Sequence, residues 1–235
     1  MSYIFDGVND RLTGTFTTGR VLPITLACWF KVADHPLAND WMLTLSVSSS
    51  STTNYTRIGT NATDNQWRVE VVDNASTLAS ANVTQTVDGI WTPMVAVIQA
   101  DGTSDLYVTT FAGHGGPGNP NTITGNLTLI WLGENPSGGG DYVGRLAEAA
   151  IWDSALTTQQ ITDYLSGISA SVIAAANLIG YWPMSSADIT NLGLDAGGDL
   201  TAVNQAAFDA DHPTITIPSV TAPSLYVVRS GIRLN

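Results

Sequence analysis

Short apolar runs separated by turn residues recur along the whole chain, and this pattern predicts strands almost throughout. The most regular stretch runs from Tyr142 to Gly167. Val143, Arg145, Ala147, Ala149 and Ile151 alternate there with Tyr142, Gly144, Leu146, Glu148, Ala150 and Trp152. Both sets are mostly apolar, as for a strand buried on two faces. A turn, Asp153-Ser154-Ala155, follows. Thr157-Thr158-Gln159-Gln160 then reads as a capping box, in which the threonine accepts from an orphan helix amide and the glutamine reaches back to the cap. Ile161 and Leu165 share one helical face, and Gly167 supplies a left-handed stop. The stretch therefore predicts a long strand and one short helix near 158–166.

Further strands are expected at Ile24–Val32, Trp41–Val47, Tyr55–Gly59, Gln66–Val72, Ile90–Gln99, Asp105–Phe111, Leu127–Gly133 and Ile179–Met184. Leu43, Leu45 and Val47 face one way on their strand, and Trp67, Val69 and Val71 stand together on theirs. Alternation places Trp29, Trp91 and Trp152 in the core or between sheets. Ala100-Asp101-Gly102-Thr103 is a hairpin turn signal. Residues Gly113 to Pro120 combine glycine, which costs entropy to order, with proline, which lacks a donor, and are expected to form an exposed loop. Many short strands with regular turn signals argue for an all-β, two-sheet antiparallel sandwich.

Four segments carry a family resemblance. GRLAEAAIWDSALTTQQI, from Gly144 to Ile161, resembles the late strand and single helix of laminin-G-like, concanavalin-A-like jelly rolls. Tyr3 to Leu12 resembles that family's opening strand, and Ile24 to Lys31 its tryptophan-bearing strand. Asp88-Gly89-Ile90-Trp91 followed by Met94-Val95-Ala96-Val97 matches another recurrent pair. The resemblance implies a jelly-roll domain over residues 1–210; residues 211–235 are the least family-like part and are read from their spaced prolines as an extended C-terminal arm. It speaks to architecture more than to activity, because one fold hosts many functions.

Composition narrows the function. Of 235 residues, 44% are hydrophobic, enough for a sizeable core. Only 12% are charged, against roughly a quarter in ordinary soluble domains. The net charge is −12 with a single lysine, Lys31, which argues against nucleic acid and anionic membranes as partners. Cys28 is the only cysteine, so no internal disulfide exists, and its place in an apolar strand makes it a small core residue. No signal-peptide pattern opens the chain, and no apolar run approaches the roughly 20 residues that span a bilayer.

Catalysis is not expected. Glycosidases on the resembled fold carry a Glu-x-Asp-x-x-Glu arrangement, whose paired carboxylates act as nucleophile and acid. The three glutamates here, Glu70, Glu134 and Glu148, do not stand at such spacing. His35, His114 and His212 lack zinc-site spacing. Candidates for a glycan site are Trp41, Tyr55, Arg57 and Trp67, aromatic platforms beside a hydroxyl partner. The turn Asp195-Ala196-Gly197-Gly198-Asp199 resembles one that holds calcium in some family members; Asp195, Asp199 and Asp188 would supply oxygens to such a structural calcium ion, the one cofactor the sequence suggests.

The arm is apolar and punctuated by Pro213, Pro218 and Pro223. Ser224 to Arg229 reads as a strand. Ile215, Ile217, Leu225, Tyr226, Val227 and Val228 are too apolar for a solvated linker, and they are read as an interface arm between subunits or with a capsid or tail protein. Two functions follow from these features. One is a non-enzymatic virion structural protein, a homo-oligomeric capsid decoration or tail-associated protein of the lectin-like fold that adheres to surface glycans. The other is a carbohydrate-binding module of a secreted or surface bacterial protein.

Overall fold

The structure is a computed structural model that describes residues 2–33, 39–49, 54–61, 66–74, 76–115, 123–136, 138–204 and 207–218. Its strands in chain order are β1 (Ser2–Asp6), β2 (Arg11–Arg20), β3 (Ile24–Lys31), β4 (Trp41–Ser46), β5 (Tyr55–Thr60), β6 (Gln66–Asp73), β7 (Ser76–Thr84), β8 (Thr92–Ile98), β9 (Ser104–Val108), β10 (Phe111–Gly115), β11 (Leu127–Leu132), β12 (Val143–Trp152), β13 (Leu178–Trp182), β14 (Thr201–Val203) and β15 (Ala207–Asp209). One helix, α1 (Thr158–Leu165), follows β12. An eight-stranded sheet runs β10-β9-β8-β3-β12-β1-β15, with β13 also on β12; a seven-stranded sheet runs β14-β2-β11-β4-β5-β6-β7. Both are antiparallel, and together they form the expected jelly-roll sandwich.

Alternation sorts residues between two hydrophobic layers. Leu26, Cys28 and Phe30 of β3 face the main core between the sheets, with Leu43, Leu45, Ile58, Trp67 and Val69 from the opposite sheet. Ala27 of β3 faces a second layer, where Ile161 and Tyr164 of α1 pack with Trp152, Ile173 and Tyr181. Burial pushes the Cys28 thiol well above its ordinary value, and it serves as an inert core residue. The helix begins as read: the Gln160 side chain accepts from the Thr157 amide at 2.9 Å, and Thr157 accepts from the Gln160 amide.

β12 is buried on two faces, but its alternation is broken. Glu148 has φ 52°, and the pairing with β3 shifts register between Ala147 and Ala150. Leu146 and Ile151, on opposite sides of a regular strand, consequently both reach the main core. The break also divides the partners of β12. β1 pairs with Val143 to Leu146, and β13 with Ala149 to Trp152.

Other expectations are corrected. Trp152 is fully buried, but Trp29 and Trp91 are only half-buried on the outer side of the eight-stranded sheet. Gly113 to Gly115 are not loop: they belong to β10, paired with β9. Their glycines let β10 lie directly across β7, since a Cβ on Gly113 would stand 2.2 Å from the Asn82 carbonyl oxygen. The start of the arm packs on its own sandwich. Thr216 donates to the Gly167 carbonyl at 2.8 Å and accepts from the Ser169 amide at 3.0 Å. Asp211 bonds Lys31 Nζ at 2.8 Å and Trp91 Nε1 at 2.9 Å. Ile215 is half-buried in this segment and Ile217 is exposed. Leu225, Tyr226, Val227 and Val228 lie outside the described residues, as does the strand expected at Ser224 to Arg229.

Candidate functional site

The register of β4, β5 and β6 builds a polar cluster on the outer face of the seven-stranded sheet. Leu43, Ile58 and Val69 lie opposite one another and face the core. The neighbouring row, Thr44, Arg57 and Glu70, faces outward. A register shift between Trp41 and Leu43 then changes the fate of Trp41. Met42 and Leu43 both enter the core, and Trp41 turns to the outer face beside Arg57. Gly59, opposite Trp41, leaves the space: a Cβ there would lie 2.9 Å from the indole and closer still to the Asp40 carbonyl.

Arg57 is held from every side. Its guanidinium carbon sits 3.5 Å from the centroid of the Trp41 ring and 4.3 Å from that of Tyr55. Its Nε donates to Glu70 Oε2 at 2.8 Å, and Nη2 bonds the same oxygen. Arg68 donates to Glu70 Oε1 at 2.5 Å through Nη2 and to Ser80 Oγ at 3.1 Å through Nε. Burial pushes the Tyr55 hydroxyl above its ordinary range. These groups floor a cleft of about 500 Å³ walled by Asn39, Asn135 and Gly138 to Gly140.

Of the four candidate glycan residues, the fold brings three together: Trp41, Tyr55 and Arg57. Trp67 is not with them. It is fully buried on the core side of β6, its ring centroid 4.3 Å from that of Phe30 and its Nε1 bonded to the Gln85 carbonyl at 2.9 Å. Nor is Trp41 an open platform, as it is only 2% exposed beneath Arg57. The aromatic rings support the arginine, and the groups that face the cleft are polar. Sequence reasoning missed Arg68 and Glu70, although both alternate with apolar Trp67, Val69 and Val71 and so had to point outward. The same face carries a second such grouping, Arg11 lying 5.6 Å from the Trp131 ring centroid and bonded to Glu134 at 2.6 Å.

The three aspartates read as calcium ligands are placed for other work. Asp195 Oδ1 accepts from the Thr17 amide, the Thr17 hydroxyl and the Gly197 amide; Oδ2 accepts from the Thr18 amide and from Arg20 at 2.6 Å. Burial alone would raise this carboxyl, but the bonds from Thr17, Gly197 and Arg20 outweigh it and hold the group well below the usual carboxylate range. Asp188 caps Thr190, and Asp199 accepts from the Asn191 amide. Among the described residues no three acidic, histidine or cysteine side chains converge as a metal site.

A second buried glutamate lies in the other sheet. Glu148 is 3% exposed and accepts from Tyr181 at 2.7 Å, while Tyr164 donates to its backbone carbonyl at 2.7 Å. His212, from the C-terminal segment, stands 3.7 Å from Glu148 Oε1 and contacts the Pro183 carbonyl at 3.1 Å. Burial raises the Glu148 carboxyl to about 7, outweighing the hydrogen bond from Tyr181 that lowers it.

With the sheets and clefts in view, the lineage is plain: this is a lectin-like jelly roll. The chain belongs to the Concanavalin A-like lectin/glucanases superfamily, whose sequence model matches residues 8–162. No curated protein matches the sequence. Among solved structures, a native heptameric SAP-like pentraxin from Limulus polyphemus is similar at 16% identity and TM-score 0.57, over 86% of this chain and 93% of that one. A putative carbohydrate binding protein from Bacteroides ovatus is similar at 14% identity and TM-score 0.60, over 89% of this chain and 61% of that one. Domain 4 of an extracellular arabinanase from Geobacillus stearothermophilus, solved with arabinotriose, is similar at 16% identity and TM-score 0.56, over 70% of this chain and 76% of that one.

Proposed function

We propose that this protein is a non-catalytic glycan-binding domain whose ligand lies on the outer face of the seven-stranded sheet, in the cleft over Arg57. The observation that carries the reading is the fixed guanidinium of Arg57, stacked on Trp41 and Tyr55 and braced by Glu70 at the floor of an open polar cleft. A preorganised donor of this kind binds hydroxyl-rich ligands without ordering a long side chain at the moment of binding. The carbohydrate-binding description of the Bacteroides ovatus protein and the arabinotriose held by the arabinanase domain support a saccharide as ligand.

Binding is favoured over hydrolysis by the placement of the glutamates. Glu70 is engaged by two arginines, Glu134 is paired with Arg11, and Glu148 is buried in the opposite sheet. Glu70 is the one carboxylate lining the cleft among the described residues, whereas glycoside hydrolysis requires a facing pair. No observed feature of the fold is particular to a capsid or tail protein, so a place in a virion is not part of this proposal. A glycan array probed with the wild-type protein and Arg57→Ala tests the reading. Binding to a defined set of saccharides, lost in the variant while the fold survives by circular dichroism, is the expected result. Binding that ignores Arg57→Ala, or saccharide turnover at this cleft, would overturn it.

A further inference from the structure

Among the described residues, carboxylates match or outnumber cations in every ion-pair group but the one at this cleft. Arg11 has Glu134; Arg20 has both Asp153 and Asp195; Lys31 and Arg145 share Asp209 and Asp211. Arg57 and Arg68 share Glu70 alone. Among the described residues this is the one ion-pair group in which cations outnumber carboxylates, and it occurs in a chain of net charge −12.

The donors are also incompletely used. Each guanidinium spends Nε and Nη2 on Glu70 or Ser80, and neither Nη1 meets an acceptor among the described residues. In the cleft wall, the amides of Gly139 and Gly140 likewise donate to no described acceptor. Uncommitted guanidinium and amide donors around an excess positive charge match a planar anion better than a neutral sugar hydroxyl. Stacking cannot supply the affinity instead, because Trp41 and Tyr55 are covered to 2% and 8% exposure.

We infer that the cleft selects acidic saccharides, and that it seats a sugar carboxylate against Arg68 and Arg57 with the Gly139 and Gly140 amides alongside. The inference rests on the glycan-binding reading above and names the ligand class for the same site. A sulfate ester would present similar chemistry, and the comparison of ligands distinguishes the two sources.

Titration calorimetry would use a galacturonic acid trimer, its carboxyl-reduced counterpart, and sialyllactose beside lactose and sulfated lactose. The expected result is binding of the carboxylated members, at least about tenfold tighter than their neutral counterparts, as a charge-assisted bond implies. That preference should shrink with added salt and in Arg68→Gln. Arg68→Gln keeps the alternation of β6, and the ligand pairs read the charge requirement even if that variant misfolds. Equal affinity for acidic and neutral members would overturn this inference and leave the glycan-binding reading standing. Preference for the sulfated ligand alone would overturn the carboxylate assignment. Failure of every saccharide to bind would overturn both.

Discussion

Glu70 and Glu148 are both buried glutamates on strands, and they live in opposite ways. Glu70 is 5% exposed and meets two guanidiniums; Glu148 is 3% exposed and meets a tyrosine hydroxyl, with a histidine 3.7 Å away. The Glu70 carboxylate is paired with two guanidiniums. At Glu148 desolvation dominates, and the carboxyl keeps its proton to about pH 7. The backbone differs as well. Glu70 lies opposite Arg57 in a continuous β5–β6 register, but Glu148 holds a left-handed φ of 52° where β12 changes partners. Two glutamates buried to a similar degree therefore differ in what is packed against them: cations at one, a hydroxyl at the other.

The largest expected effect comes from unbalancing the first site. Glu70→Ala leaves Arg57 and Arg68 facing each other without a counter-charge, with side chains only 14% and 21% exposed. Removing one partner of such a group costs about 3 kcal/mol. Urea denaturation at neutral pH measures it. A loss below about 1 kcal/mol would mean that water reaches the arginines well enough to replace the glutamate.

The second site is broken by Glu148→Gln. The unfolded carboxyl releases its proton near 4.5, whereas the folded one holds it to about 7. Between those values the folded state binds more protons, so this group's contribution is fully present below pH 4.5 and is lost as pH rises through 7. The total loss is about 3 kcal/mol at 1.36 kcal/mol per unit. Subtracting the variant's stability-versus-pH curve from that of the wild type should expose this fall. A difference curve flat from pH 4 to 8 would show Glu148 ionised and overturn the reading of a protonated buried carboxyl.

Tyr181→Phe sharpens the contrast at smaller scale. The hydroxyl donates to Glu148 and lies 3.0 Å from Ser169 Oγ. Its removal should cost about 1 kcal/mol and raise the Glu148 carboxyl further, because the hydrogen bond that lowers it is gone. The cost should be larger at pH 8, where the charged form loses its donor, than at pH 5. Equal costs at both would detach Tyr181 from the ionisation of Glu148.

Much of this architecture was legible in the chain. Alternation found most strands, and Thr157 with Gln160 found the helix. What escaped was the result of single-residue irregularities and distant partners. The register shift that turns Trp41 outward leaves no mark in a run of apolar residues such as Trp41-Met42-Leu43. Trp67 looked like a platform because its type suits one, but the period of β6 commits it to the core with Val69 and Val71. Arg68 and Glu70 were readable from that same period. Glu148 sits among alanines that give no hint of a left-handed turn. The partners of Asp195, Thr17 and Arg20, come from β2, 178 and 175 residues away.

That aspartate provides a third buried carboxylate and the smallest expected effect. The sequence places Asp195, with Asp188 and Asp199, in a calcium-holding turn. Calcium needs six to eight oxygens with lone pairs turned toward it. Both Asp195 oxygens already accept from five protein donors, Arg20 among them, so Asp195 belongs with Glu70 as a carboxylate compensated from within the chain. A metal that bound only the native state would raise stability by about 2.7 kcal/mol at a hundredfold excess over its Kd, and a chelator would remove that gain. Thermal melts with EDTA and with added calcium should therefore coincide. Arg20→Ala, by contrast, should lower the melting temperature in both buffers alike, because it strips the cation from Asp195. A melt that drops several degrees with EDTA, and recovers with calcium, would return Asp195 to the metal and separate it from Glu70.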